Sequence, residues 1–312
     1  MNASAALEIG PLLSRRGRIS LTKACSYAFT GLALFSLGVL VLIFLLQSLP
    51  VWQHAGLRYV TGTKWYFRSE TFGALPMIYG TLVVALIALA LAAPVALGAA
   101  IFTAEFLPER ARLVVKIMIE LLAGVPSVVY GLIGILLLRN WIYRLFAAFD
   151  PLSGDTLLTA GVLLAVMILP TIMTLSDDAF RSVPAEQRRA ARGLGLTATE
   201  TVFSISLPQA TRGLLAALLL GLGRAMGETI AVFLVVGRQD NNLPGNILSP
   251  RAWLEAGQTL ATKLGGSETN IAEGAPLHWA AMVGLALILM AMVLAVTLAG
   301  AWQRKGKYAS SF

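Results

Sequence analysis

Six apolar runs, each long enough to cross a bilayer as a helix, constrain this 312-residue chain more than any other feature. A hydrocarbon core of about 30 Å takes about 20 helical residues, and such runs lie near 24–49, 78–102, 113–138, 157–175, 209–236 and 277–302. Each is continuous rather than alternating, and a helix satisfies its own backbone hydrogen bonds inside lipid, so helices are expected rather than strands. The predicted fold class is an all-α polytopic integral membrane protein with a 1–23 tail, a single domain over 24–302 and a 303–312 tail. Charged residues make up 13% of the chain, against about 25% in ordinary soluble domains. With 57% of residues hydrophobic, a water-soluble enzyme is excluded. The first run follows Arg15, Arg16, Arg18 and Lys23, but its stretch 28–46 exceeds a signal-peptide core, and Gln47-Ser48-Leu49-Pro50 is no small-residue cleavage site. It is read as a retained helix.

With the N-terminus inside, Lys and Arg number 14 in the cytoplasmic set of loops and 8 in the outer set. The positive-inside rule then predicts both termini in the cytoplasm and an outer loop over 237–276. The net charge of +8 is spread between apolar blocks, so no nucleic-acid partner is expected. One cysteine, Cys25, excludes an intramolecular disulfide, and His54 and His278 are too far apart to suggest a local metal site. No phosphate loop of the form G-x-x-x-x-G-K-[ST] occurs, since Gly306-Lys307 is followed by Tyr308. The chain is therefore expected to hydrolyse no ATP and to bind no cofactor of its own.

The longest cytoplasmic connection, 177–208, reads as two short helices rather than a slack linker. Pro184 suits a first helical position, 185–194 is rich in helix formers, and Gly193 and Gly195 are candidate left-handed C-caps. Thr197 and Glu200 have capping-box spacing, and Val202, Phe203 and Ile205 give the second helix an apolar side before Pro208 interrupts it. By local features the connection is either a solvated basic loop or a helical hairpin presented at the surface.

Two runs carry polar features inside the membrane. Arg224 lies about 15 residues, roughly 22 Å, into the fifth run, and Glu228 follows one turn later. A charge at a helix centre costs about 2.5–3.5 kcal/mol on insertion scales, so both should face a protein interior or a water-filled cavity. They form either a structural ion pair at i,i+4 spacing or, with Thr229, the lining of an anion path. An arginine fork can hold a tetrahedral oxyanion through two parallel hydrogen bonds, which favours the path. Glu228 would then orient Arg224, repel the anion so that it leaves, or take a proton from it. In the third run Pro126 predicts a kink or interruption near Gly124. Such a break can turn free N–H groups toward an anion, with Ser127 and Tyr130 adding hydroxyls, or can simply bring helices close. The stretch 72–81 opening the second run reads as an interfacial anchor.

The pattern Ala190-Ala191, three residues, Gly195, nine residues, Ile205, one residue, Leu207-Pro208 resembles the cytoplasmic loop of ATP-binding-cassette importer permeases, with Arg189 where that loop usually begins with Glu. FGALPMIYGTL (72–82), ELLAGVPSVVYGL (120–132), ILPTI (168–172) and GRAMGETIAV (223–232) are similar to the phosphate-specific permeases of this class, the PstC type. The resemblance implies a type I importer architecture in a bacterial cytoplasmic (inner) membrane. It implies a coupling helix presenting Glu186, Arg189, Ala190, Ala191, Gly195, Leu207 and Pro208 to a separate ATPase, which would hold ATP and Mg. The implied partners are a second, PstA-type permease in a heterodimer, two PstB-type ATPase subunits and a periplasmic PstS-type phosphate-binding protein. Phosphate would pass Arg224 and Glu228. Competing readings are the same architecture serving sulfate, molybdate or phosphonate, an ATP-independent anion carrier or channel, and a membrane scaffold or sensor.

Overall fold

The computed structural model describes residues 21–246 and 249–305. Among them six helices are long and apolar enough to cross a membrane: Lys23–Ala55, Leu75–Phe106, Ser127–Leu145, Leu157–Arg181, Ala198–Gly227 and Pro276–Ala301. The chain up to Leu46 is a unit of its own. Its described part is the first two-thirds or so of α1 (Leu21–Ala55), in which every side chain from 23 to 40 is exposed. An apolar helix with no polar face suits lipid on all sides.

From Gln47 onward the second unit follows. A small hairpin, β1 (Trp65–Tyr66) against β2 (Thr71–Phe72), turns at Glu70, whose φ is +51°. Besides short helices at Arg58–Thr61, Arg139–Leu145 and Pro250–Trp253, the unit's helices are α2 (Leu75–Ile101), α3 (Glu109–Ala123), α4 (Ser127–Ile133), α5 (Leu157–Arg181), α6 (Ala185–Gly193), α7 (Ala198–Thr201), α8 (Leu207–Gly227), α9 (Ile230–Phe233), α10 (Leu260–Leu264), α11 (Glu268–Ala272) and α12 (Pro276–Lys305). The core pair is α2 and α5. Ala85, Ala88, Ala92, Ala96 and Ala100 form a buried stripe on α2 at helical spacing. At Gly161 of α5 a Cβ would come within 2.5 Å of Ile87. With lipid as apolar as any side chain, helices associate through such close backbone packing rather than through expulsion of water. The helix α8 also packs on α5, and at its Gly221 a Cβ would meet Ile172 at 2.5 Å.

Three π-turns prolong or join helices: Phe102–Phe106 after α2, Gly134–Leu138 after α4, and Val202–Ser206 between α7 and α8. The last corrects the expectation that Pro208 interrupts the chain. Proline removes an N–H and crowds the carbonyl four residues earlier, and here the wider turn relieves both, with Leu207 N–H reaching Val202 O. The fifth span therefore begins at Ala198 rather than near 209, and it ends at Gly227 rather than 236. The third run also divides. The helix α3, with Glu109, Arg110, Arg112, Lys116 and Glu120, buries no residue, and the spanning helix is Ser127–Leu145, not 113–138.

The connection 237–276 is folded back onto the bundle. Leu260 N–H donates to Thr81 Oγ1 at 2.9 Å, and at Gly80 a Cβ would fall 2.1 Å from Gln258 O, so only glycine admits the loop there. Beneath it sits a buried polar network. Lys263, 2% exposed, donates to Asp240 at 2.6 Å and to Glu268. Glu268 Oε1 also accepts from Trp65 Nε1 at 2.6 Å and meets His278 Nε2 at 2.9 Å. The His278 ring stacks between Phe67 and Phe72, with centroids 5.5 and 5.7 Å away. One cation thus ties the hairpin, the long loop and the start of α12 together.

Lys263→Met is expected to lower the unfolding temperature in detergent clearly, because breaking a buried pair from one side costs about 3–5 kcal/mol. Burial alone would raise the Glu268 carboxyl, but hydrogen bonds from Lys263, Trp65 and His278 outweigh it and hold the group below the usual carboxylate range. A depressed folded-state pKa contributes stability above the unfolded value, about 4.3, and loses it as pH falls through the folded value. Thermal scans of the parent should be level down to about pH 4.3 and decline below it. In Lys263→Met the largest stabilising partner of the carboxylate is gone and burial pushes the group up, so the decline below about pH 4.3 should shrink or reverse into a gain on acidification, and identical profiles would remove Glu268 from the account.

Candidate functional site

Arg224 and Glu228 do not share a helical face. The helix α8 ends at Gly227, Glu228 is extended with φ −71° and ψ 124°, and α9 starts at Ile230. Among the described residues the two charges form no ion pair with each other. Glu228 Oε1 instead accepts the Ala231 N–H at 3.3 Å, placing a carboxylate at the positive end of the next helical turn. Arg224 is exposed, and its Nη1 donates to Thr171 Oγ1 at 2.6 Å. Thr171 follows Pro170 about 21 Å along α5 from Leu157, which holds the guanidinium at mid-bundle rather than at either end. Thr171 lies within the ILPTI stretch but was not singled out from the sequence. The available signal was a hydroxyl in the middle of an apolar run facing a chain with an intramembrane arginine.

The second break lies between α3 and α4. Gly124 ends α3, Pro126 precedes α4, and half-buried Ser127 is its first residue. In a continuous helix the Leu122 carbonyl would accept the N–H of residue 126, which proline lacks. Buried Tyr130 donates its hydroxyl to Leu122 O at 2.8 Å, and Val125 N–H approaches the same oxygen at 3.3 Å. The Tyr130 hydroxyl thus donates to the backbone at the break. At Gly131 a Cβ would lie 2.5 Å from Leu234 and 3.2 Å from Ala231 Cα, so the absence of a side chain lets α9 dock on α4. The two breaks are therefore neighbours. Thr229 packs its methyl toward Gly265 of the folded-back loop, where a Cβ would come within 2.5 Å. Arg224 and Thr171 thus join α8 to α5, while the α8–α9 break, with Glu228 and Thr229, adjoins α4. Among the described residues no group of His, Cys, Asp and Glu forms a metal cage.

At the far end of α5, α6 starts after Pro184, which caps it from outside rather than occupying its first turn. It stops in a Schellman arrangement, with Gly195 at φ +93°, Gly195 N–H donating to Arg192 O at 3.0 Å and Leu196 N–H to Ala191 O at 3.2 Å. Of the two glycines, Gly195 takes the left-handed position. The Thr197–Glu200 capping box starts the next helix. Glu186, Arg189 and Ala190 are exposed, Ala191 is buried, and Leu207 and Pro208 form the first turn of α8. Leu194 and Phe203 add exposed apolar surface beside them.

A family model described as "Binding-protein-dependent transport system inner membrane component" matches residues 96–306. "Phosphate transport system permease protein PstC 1" of Mycobacterium tuberculosis is 37% identical over 254 residues, spanning 76% of this chain and 74% of that protein. "Phosphate transport system permease protein PstC" of Mesorhizobium japonicum is 32% identical over 301 residues, spanning 89% of both chains. Among solved structures, a chain of the bacterial alginate ABC transporter in complex with alginate pentasaccharide-bound periplasmic protein aligns with a TM-score of 0.55 at 14% identity. That alignment covers 93% of this chain and 98% of the other, a likeness of fold.

Tyr130→Phe removes one of the donors to the Leu122 carbonyl at the α3–α4 break, a loss of about 0.5–1.5 kcal/mol. Amide hydrogen exchange over 122–128 is expected to accelerate, with exchange elsewhere in α5 and α8 unchanged. Unaltered protection of that segment would show that the hydroxyl does not secure the break.

Proposed function

The chain belongs to the family of binding-protein-dependent transport system inner membrane components, and on that premise we propose that it is a permease subunit of an ATP-driven importer of inorganic phosphate. It is a multi-pass membrane protein and a transporter subunit rather than an enzyme. Members of this family work with a substrate-binding protein and a separate ATPase. In our reading these are a PstS-type phosphate-binding protein outside and two PstB-type ATPase subunits inside that hold ATP and Mg. A PstA-type permease completes the path, in a bacterial inner membrane with both termini cytoplasmic.

The observation that carries the substrate class is Arg224, an exposed guanidinium at mid-bundle whose anchor is a neutral hydroxyl. A carboxylate anchor would cancel its charge, whereas Thr171 leaves the charge and several N–H donors for a passing anion. Phosphate and guanidinium match as bidentate partners, and arginine stays charged at any relevant pH. Glu228 caps Ala231 and does not orient Arg224. Its part is repulsion, since a carboxylate beside the path weakens anion binding enough for release. Alternating access then needs the α6 surface to follow the ATPase dimer as ATP closes it, with Glu186, Arg189 and Ala190 outermost. Gly195 closes that helix, and Leu207 and Pro208 carry the motion into α8.

Radiolabelled phosphate uptake in cells that depend on this chain tests the reading. A charge-assisted hydrogen bond contributes about 1.5–3 kcal/mol, or about tenfold to a hundredfold, so Arg224→Gln is expected to reduce uptake on that scale. Thr171→Val should reduce it by about twofold to tenfold, because the guanidinium survives but is less well aimed. Uptake should cease on ATP depletion and resist excess sulfate. Equal competition by sulfate would reassign the substrate, and uptake without ATP would replace the importer with a carrier or channel.

A further inference from the structure

The helix α6 has an inward side as well as an outward one. Arg188 points back into the protein, its side chain 17% exposed, while Glu186, Arg189 and Ala190 face away. Its Nη2 donates to Phe180 O at 3.0 Å and to Val183 O at 2.8 Å. Its Nη1 lies 3.2 Å from Glu105 Oε1, and Arg192 Nη2 lies 4.0 Å from the other oxygen of that carboxylate. Phe180 belongs to the last turn of α5, where carbonyls lack partners along the helix and a cation is favourable. Glu105 sits in the π-turn that prolongs α2, and its side chain is 1% exposed. A π-turn re-aims the residues it contains and recurs at functional positions. Here it aims a carboxylate inward beneath α6. One guanidinium therefore joins α6 to the ends of both core helices. A second tie, from Gln209 Nε2 to Gln187, reaches α8.

We infer that Arg188 is the positioning residue that delivers displacement of α6 to α2 and α5, an inference that rests on the reading of α6 as the surface engaged by the ATPase. The turn at 182–184 joins α6 to α5 and would by itself act as a hinge, letting α6 swing while the membrane helices stay still. Arg188 spans that hinge, because its two carbonyl acceptors lie in the turn and before it. The swing becomes a push along α5. Thr171 lies nine residues from Phe180 on the same helix, about 14 Å away at 1.5 Å per residue. A rigid α5 moved at its Phe180 end therefore moves the hydroxyl that anchors Arg224. The packing of α2 against α5 at Gly161 makes the pair move together. The tether touches no substrate and, being a guanidinium, keeps its charge across cytoplasmic pH.

The test uses the whole complex, with partner permease and ATPase, reconstituted in liposomes with the phosphate-binding protein. ATP hydrolysis is measured with and without phosphate-loaded binding protein, and phosphate delivered per ATP is measured alongside it. Arg188→Gln is expected to assemble and to keep unstimulated hydrolysis within about twofold, while phosphate per ATP falls about tenfold, as loss of a charged, multi-centre contact predicts. Arg188→Lys keeps a charge toward Glu105 but not the fork to two carbonyls, and should lose about threefold. If Arg188→Gln does not accumulate, Arg188→Lys decides alone. An unchanged phosphate-to-ATP ratio in the assembled variants overturns the tether, including the case where hydrolysis and uptake fall in parallel. A parent complex whose hydrolysis ignores the loaded binding protein overturns instead the reading of α6 on which the tether rests.

Discussion

Inside a bilayer core no water is at hand to satisfy a backbone N–H or C=O, and the architecture of this protein follows from that constraint. Three irregularities in or beside the spanning helices come with a replacement. Where Pro126 withholds an N–H, the Tyr130 hydroxyl reaches Leu122 O. Where α8 stops at Gly227, Glu228 accepts the N–H of Ala231. Where Pro208 would break the fifth span, a π-turn passes the bond to the fifth residue along. At these three positions a side chain or a wider turn answers for the departure from the helix. Two such departures lie side by side because Gly131 lets α9 approach α4.

Charge is distributed in three tiers with different partners. At one end of α2, buried Lys263 is neutralised by two carboxylates, and the result is rigidity: a hairpin, a loop and a helix start held as one piece. At the other end, Arg188 and Arg112 bind Glu105 and Asp177, so the cytoplasmic ends expected of α2, α3, α5 and α6 are tied by ion pairs of low exposure. Between these tiers Arg224 is held by a hydroxyl and left exposed. A guanidinium anchored by a neutral group keeps its field, and a field in a low-dielectric surround is what a permeating anion can use. Rigid ends and an electrostatically uncommitted middle suit a protein that rocks as a body around a fixed polar zone.

The six-helix class, the family and the short helix after Pro184 with its capping signals were readable in residue order, whereas the second helix runs on through Pro208 into the fifth span. Hydrophobic length, capping boxes and glycine C-caps are local signals, and Gly195 and the Thr197–Glu200 pair act within a few residues. The relation between Arg224 and Glu228 was not readable. The i,i+4 spacing presumes a helix that continues, and this helix stops at Gly227 between the two charges. Thr171, Arg188 and Glu105 were also hidden, because their partners are 53, five to 83, and 83 residues away in the chain. For Glu105 the obstacle was geometric as well, since its inward direction depends on a π-turn that no composition rule signals.

Sequence by itself determined that this chain lives in a membrane as helices, that it lacks an ATP-binding loop, and where the helix after Pro184 begins and ends. These follow from hydrophobic length and local backbone chemistry, which act between near neighbours. Tertiary structure alone decided which breaks adjoin, which hydroxyl holds Arg224, and which arginine of α6 turns inward. Those outcomes depend on how closely glycine and alanine faces allow helices distant in sequence to approach. Such approach is settled only when the whole bundle packs.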